Sequence, residues 1–271
     1  MAEAEIGVIG GSGLYTFLDE SPGTVEVTPE TPWGSPSGPI TVGEIAGRRV
    51  AFLPRHGRGH RFPPHRVPYR ANLWALRALG VRQVLAPCAV GSLRPEIGPG
   101  AVVVADQVVD RTWGREHTYC DGDAGVAHVG FADPYCPDGR AAAVRTARAR
   151  GLEPVDGGTL VVVNGPRFST RAESTWHAAQ GWSLVGMTGM PEASLARELG
   201  LCYTAVALVT DHDAGVSDGA SVTQEEVFRV FAANMGRLRG LLHELVGALP
   251  AERTCACGSS LDGMAVPYPL P

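Results

Sequence analysis

Short apolar, mostly β-branched runs recur along the chain, each closed by glycine or polar residues and separated by stretches with helical spacing. Ile6–Ile9 runs into Gly10–Gly13, and Val50–Leu53 into Pro54-Arg55-His56-Gly57. Segment 68–79 places Leu73, Leu76 and Leu79 on one helical face, with Gly80 to end it. Val81–Ala86 predicts a strand leading into Cys88–Ser92, and Ala101–Val109 and Thr159–Val163 predict two more. Helical patterns follow at 139–150, 170–180 and 191–199, the last punctuated by Pro191 and Gly200. Leu201–Val209 is a continuous apolar run ending at Thr210–Gly215. Residues 223–247 form a long amphipathic pattern with Val227, Val230, Phe231, Met235, Leu238, Leu241 and Leu242 on one side. Strands apolar on both faces and separated by helices predict an α/β domain with a largely parallel, covered sheet. No linker or repeat divides the chain, so one domain over 1–250 is expected. The aperiodic tail 251–271 is expected to pack on it or on a neighbouring subunit.

Composition narrows the chemistry. With 271 residues, 44% hydrophobic and 19% charged, the chain is ordinary globular material. A net charge of −5 argues against a nucleic-acid partner or a polybasic membrane contact. All 23 basic residues are arginine. Without lysine there is no Schiff base, no pyridoxal anchor and no phosphate-loop lysine. The acidic N-terminus lacks a signal pattern, the apolar runs are too short to span a bilayer, and six cysteines are too sparse for a disulfide scaffold. A reduced cytoplasm is the expected setting. Cys255-Ala256-Cys257 is read as two exposed thiols in a mobile tail, ahead of a local disulfide or half a metal site. No second cysteine pair stands at zinc-knuckle spacing.

Polar residues gather where the strands end, which is where open α/β sheets bind ligands. Gly10-Gly11-Ser12-Gly13 does not complete a dinucleotide fingerprint; a small backbone nest with one hydroxyl, or a plain tight turn, is what remains. Arg55-His56 after a strand reads as a bidentate guanidinium fork for an anion with a second donor beside it, against a structural ion pair. His56, His60 and His65 with Asp211 and Asp213 could hold a metal, but RGHRFPPHR is basic and proline-broken, and anion binding is preferred. Asp211-His212-Asp213 puts two carboxylates on one strand face, able to hold a metal, share a proton or accept from an amine. Alone it would be a solvated turn; nine apolar residues leading into it make that reading weaker.

Taken together, Gly-Gly-Ser-Gly, Pro54-Arg-His-Gly-Arg, Asn72-Leu-Trp-Ala-Leu, Gly91-Ser-Leu-Arg, Asn164-Gly-Pro-Arg-Phe-Ser, Met187-Thr188 with Pro191-Glu192, and Thr210-Asp-His-Asp carry a resemblance. From about Glu5 to Leu245, in order, the chain resembles the purine nucleoside phosphorylase family, in particular its methylthioadenosine phosphorylases. The resemblance implies a single α/β domain with a mixed sheet closing toward a distorted barrel and flanked by helices. It also implies a homotrimer with sites near subunit interfaces. The implied reaction is attack of inorganic phosphate on the anomeric carbon, releasing free purine and a ribose-1-phosphate derivative, in purine and methionine salvage. No cofactor and no metal are expected.

Residue by residue, the resemblance implies that Ser12, Arg55, His56, Cys88, Ala89 and Thr188 hold phosphate. Met187 would pack on the ribose, Phe168 would stack on the purine, and Asp211 and Asp213 would address its N7 and 6-amino edge. His128 would reach the 5′ end from a neighbouring subunit, and Ser169 and Gln224 would set specificity. By themselves His128 reads as a satisfied loop histidine and Phe168 as core. Asp211 and His56 are the expected catalytic groups, Asp211 with a pKa raised by a second carboxylate in an apolar strand end. An acidic pair favours a 6-amino purine, so adenine nucleosides are expected. Cys88 and Pro87 stand where the family usually has threonines, Gly189 replaces another, and Gln224 falls where a valine commonly lines the alkylthio pocket. Adenosine or another 5′-substituted adenosine therefore stays open. A 6-oxopurine phosphorylase is the alternative within the class; a metal-dependent hydrolase and a nucleotide-binding module are the alternatives outside it.

Overall fold

The computed structural model describes residues 3–11, 13–15, 17, 18, 21, 23–216 and 223–271. In chain order the elements are β1 (Ile6–Gly10), β2 (Val25–Val27), β3 (Ile40–Ile45), β4 (Arg48–Pro54), α1 (Tyr69–Ala78), β5 (Gln83–Ser92), β6 (Val102–Val104) and β7 (Gln107–Arg111). They continue as α2 (Pro137–Ala149), β8 (Val155–Asp156), β9 (Thr159–Val163), α3 (Arg171–Ala179), β10 (Leu184–Gly186), α4 (Gly189–Glu198), β11 (Cys202–His212) and α5 (Gln224–Ala248).

The eleven strands of the described residues join one sheet in the order β2-β3-β4-β1-β5-β10-β9-β7, with a branch at β5. The start of β5 pairs with β1, its last two residues pair with β10, and its whole length pairs with β11, which leads on to β6 and β8. One long strand, β5, is thus shared between two branches of the sheet. The pairing is mixed rather than largely parallel: β2–β3, β3–β4, β5–β10 and β6–β11 run antiparallel. An apolar run reports that both faces are covered and says nothing of strand direction. Helices α1 and α4 cover one face through Leu73, Leu76, Leu195 and Leu199. Helices α2 and α5 cover the other through Ala143, Ala147, Leu241 and Leu245.

Three further expectations change. The run 101–109 is two strands, not one. The chain turns after Ala105, where the Asp106 carboxylate accepts from the Gly158 amide (2.8 Å), and β6 and β7 go to different branches. Cys88–Ser92 and Thr210–His212 lie inside β5 and β11 rather than beyond them, because the two strands stay paired to Ser92 and His212. The tail makes contacts with the domain, so the reading of its two thiols as lying in a mobile segment changes. Arg253 donates to the Gly200 carbonyl (2.8 Å), Thr254 to the Asp138 carboxylate (2.9 Å), and Tyr268 to the Glu198 carbonyl (2.6 Å). Among the described residues no helix is long and apolar enough to cross a membrane.

Candidate active site

A cavity of about 610 Å³ opens over the ends of β1, β4, β5, β10 and β11. It takes Arg55 and His56 from the end of β4, Cys88 and Ala89 from β5, and Met187 and Thr188 from the β10–α4 junction. Asp211 and Asp213 come from the end of β11, Phe168 and Ser169 from the loop before α3, and Gln224 from the start of α5. Two expected residues are not in this set. Ser12 lies outside the described residues, and His128 is exposed and does not line the cavity.

Arg55 is 2% exposed, and its fork is already occupied. Nε and Nη2 donate to the two carboxylate oxygens of Glu192 (2.5 and 3.0 Å), and Nη1 donates to the Pro87 carbonyl (3.0 Å). A guanidinium has five N–H groups, so one on Nη1 and one on Nη2 remain. The two readings of Arg55 were alternatives in the sequence; in the fold the ion pair takes the bidentate face and leaves only single donors. Glu192 also accepts from the Tyr203 hydroxyl (2.8 Å), so its own charge is shared between two donors.

His56 is pinned by its neighbours. Its Nδ1 lies 2.8 Å from the Phe62 carbonyl, which can only accept, so Nδ1 carries the hydrogen. The ring stacks on His60 with centroids 4.1 Å apart. Burial, and then the charge of Arg55, push its pKa down to about 4. At neutral pH the imidazole is uncharged and its Nε2 is an acceptor, which corrects the expected second donor.

The base end is built on β11. A register shift between Val209 and Asp211 re-aims the strand end, and both carboxylates come to the cavity beside Gly91. A Cβ at Gly91 would sit 3.1 Å from Asp211 Oδ2, so a side chain there would crowd the site. Asp213 is held by the Ser174 hydroxyl (2.5 Å), and Ser174 rides on α3, whose start is fixed by the reciprocal Thr170–Glu173 cap. Asp211 accepts from its neighbour Thr210 (2.7 Å), and among the described residues no arginine pairs with it. Its pKa rises to about 6, mainly because burial penalises the charge, with the Asp213 carboxylate adding a smaller push. The direction agrees with expectation; the dominant cause is burial, not the second carboxylate.

Sequence reasoning missed one part of the wall and one residue behind it. Val227, Phe228 and Phe231 line the cavity from the first turns of α5, although helical spacing assigns Val227 and Phe231 to the core face. Periodicity separates inward from outward positions and cannot tell a packed interior from a cavity. Arg115 was not singled out either. Buried in an irregular stretch, it donates to the carbonyls of Met187 (2.9 Å), Asn164 (3.0 Å) and Met190 (2.5 Å) and to the Tyr69 hydroxyl (3.1 Å). It ties together the segments that carry Met187, Thr188 and Phe168. Gly165, at φ 61°, lets the backbone pass the Met187 sulfur, which would lie 2.6 Å from any Cβ.

A fixed guanidinium at one end of an apolar cavity and a protonatable carboxyl at the other define a site for group transfer between an anion and a base. Residues 5–247 match the Phosphorylase superfamily, and the chain belongs to that family. A purine nucleoside phosphorylase of Streptomyces coelicolor is 64% identical, with 99% of this chain and 98% of that protein aligned. An S-methyl-5′-thioadenosine phosphorylase of Mycolicibacterium smegmatis is 58% identical over 98% and 99% of the two chains. Among solved structures, the methylthioadenosine phosphorylase of Schistosoma mansoni in complex with adenine superimposes with a TM-score of 0.85, at 39% identity and 93% coverage of both chains.

Proposed function

We propose that the protein cleaves the N-glycosidic bond of 5′-methylthioadenosine, or a close 5′-substituted adenosine, with inorganic phosphate. The observation that carries this reading is Asp211: a carboxyl with a pKa near 6 in the same cavity as Arg55 and His56. Phosphate would bind the two free N–H groups of Arg55 and the hydroxyl of Thr188, which makes no capping bond to α4. Neutral His56 would accept from the protonated oxygen of hydrogen phosphate. Cys88 and Ala89 would flank the same anion, and the resemblance to the family adds Ser12, which lies outside the described residues, as a further ligand.

A phosphate oxygen attacks C1′ as the C1′–N9 bond breaks. Positive charge on the sugar is stabilised by the anion beneath it, and the electron pair leaves with the purine. Protonated Asp211 delivers its proton to N7, giving adenine and 5-methylthioribose-1-phosphate. Asp213, held by Ser174, keeps its other oxygen for the 6-amino donor, and Phe168 covers the ring. Val227, Phe228 and Phe231 make the α5 wall apolar, which suits an alkylthio group; Gln224 at its edge supplies one polar contact for a 5′-hydroxyl. No cofactor or metal takes part at this site. A homotrimer in the cytoplasm, with His128 reaching a neighbour's 5′ pocket, completes the proposal.

The test is purine release from methylthioadenosine with and without phosphate, and with chelator. Turnover that needs phosphate and ignores chelator over the initial rate supports the reading. Phosphate-independent release of free ribose overturns it in favour of a hydrolase, and no release in favour of a binding module. The kinship to a protein called purine nucleoside phosphorylase makes the base worth testing separately. A preference of more than about tenfold (about 1.4 kcal/mol) for the 6-oxo over the 6-amino substrate would reject adenine.

A further inference from the structure

The fold assembles four cysteines that are far apart in sequence. Cys136 caps α2, Cys202 opens β11, and Cys255 and Cys257 belong to the tail, the latter within a short 3-10 turn at Ala256–Ser259. Their four sulfurs all lie within 4.8 Å of one another, with Cys255 Sγ 3.6 Å from Cys136 Sγ and 3.4 Å from Cys202 Sγ. Cys136, Cys202 and Cys257 are buried and Cys255 is half-buried. No two of the four are bonded as a disulfide. The reading of Cys255 and Cys257 as exposed thiols in a mobile tail therefore fails. The second pair comes from residues 136 and 202, and no local spacing could reveal it.

We propose that these four cysteines form a structural tetrathiolate site for a zinc ion that pins the tail to the domain. Zinc with bonds of about 2.3 Å to sulfur spans a tetrahedron with edges of about 3.8 Å; the two Cys255 separations of 3.6 and 3.4 Å and the 4.8 Å limit on the whole set bracket that edge. All-sulfur tetrahedral sites with no open position are structural rather than catalytic. The surroundings suit the charge. Four thiolates around a divalent ion leave a net negative centre, and the Gly139 amide at the start of α2 already donates to Cys136 Sγ (3.4 Å). The guanidinium of Arg253 packs over Gly258, next to Cys257, while donating to the Gly200 carbonyl. A second, more polar cavity of about 460 Å³, lined by Cys257, Asp106, Asp133 and Arg140, gives the ion a way in.

Binding is not redox chemistry: four S–H bonds are lost, four Zn–S bonds form, and the protons go to solvent. The site is also remote from the cavity. Cys202 and Asp211 stand at opposite ends of β11, nine residues and about 30 Å apart by strand rise. Loading should therefore act on stability and leave turnover alone.

The full-length chain, produced with zinc in the medium and without a metal-binding tag, is analysed by elemental mass spectrometry. The expected result is about one zinc per chain. Replacing zinc by cobalt(II) should add thiolate-to-metal charge-transfer and tetrahedral d–d bands. The Cys255→Ser/Cys257→Ser variant should lose the metal and keep initial turnover within about twofold, roughly 0.4 kcal/mol. A strong chelator should lower the Tm of the parent and not that of the variant. Less than a tenth of an equivalent of zinc overturns the proposal, whether intact mass shows four free thiols or the loss of four hydrogens in two disulfides. Because the parent protein is measured directly, a variant that fails to fold does not shelter the idea.

Discussion

The two ends of the active-site cavity treat charge in opposite ways. At the anion end, Arg55 is fully buried yet permanently charged, because Glu192 neutralises it through two hydrogen bonds and Pro87 takes a third. At the base end, Asp211 is half-buried with a second carboxylate nearby and, among the described residues, no arginine paired to it, so its charge is left to the pH. Both arrangements begin with desolvation. The partner decides whether burial fixes a charge or lets a proton ride on it. A co-substrate that is always an anion is met by a fixed cation, and a leaving group that needs a proton is met by a group that can lose one.

The largest effect should come from breaking the fixed end. Glu192→Gln leaves the Arg55 charge buried with half its compensation, and stability in urea should fall by about 3 kcal/mol or more. Replacing both residues, as Arg55→Met/Glu192→Leu, should recover most of that stability and none of the phosphorolysis. A double variant as unstable as the single one would show that the pair contributes net stability, and the contrast with Asp211 would lose its basis.

Next comes the titrating end. Asp211→Asn should lower kcat/KM by about 10²–10³-fold. The parent needs Asp211 protonated, so its kcat/KM should fall as pH rises through about 6. The variant should lack that limb, which separates it from the titration of phosphate itself. Stability offers a second reading. The folded chain binds the Asp211 proton more tightly than the unfolded chain between pH 3.8 and about 6, so this contribution is present at low pH and lost as pH rises through that window. His56, with its pKa lowered from 6.5 to about 4, does the reverse: its contribution is lost as pH falls from 6.5 toward 4. The two slopes oppose each other in the parent. Removing one by Asp211→Asn should make Tm fall more steeply on acidification from pH 6.5 to 4.

What could be read from the sequence follows the same division. The carboxylates of Asp211 and Asp213 announce themselves because a nine-residue run, apolar but for Thr204, delivers them to a strand end. Arg55 is equally visible, but its partner Glu192 lies 137 positions away and only the fold pairs them. Arg115 sits in an irregular stretch with no period, and its role is to bind backbone carbonyls, which carry no sequence signal. The cysteine cluster fails for the same reason as Glu192, since two of its members arrive by tertiary contact. Strand existence was legible from apolar runs. The split of 101–109 is marked by one polar residue, Asp106, whose carboxylate ties the junction of β6 and β7 to the Gly158 amide and which a hydrophobic average hides.

The smallest expected effect tests how firmly the base end is braced. Ser174→Ala removes the hydroxyl that holds Asp213 Oδ2 at 2.5 Å and leaves Asp211 and its Thr210 contact untouched. One hydrogen bond to a charged group is at stake, about 1–2 kcal/mol. If Asp213 recognises the purine while Asp211 moves the proton, KM for the nucleoside should rise roughly five- to tenfold with kcat nearly unchanged, and the pH limb near 6 should stay in place. A fall in kcat with a shifted limb would mean that the two carboxylates share the proton as a pair. The base end would then be a single coupled unit, and the division between a recognising and a titrating aspartate would have to be given up.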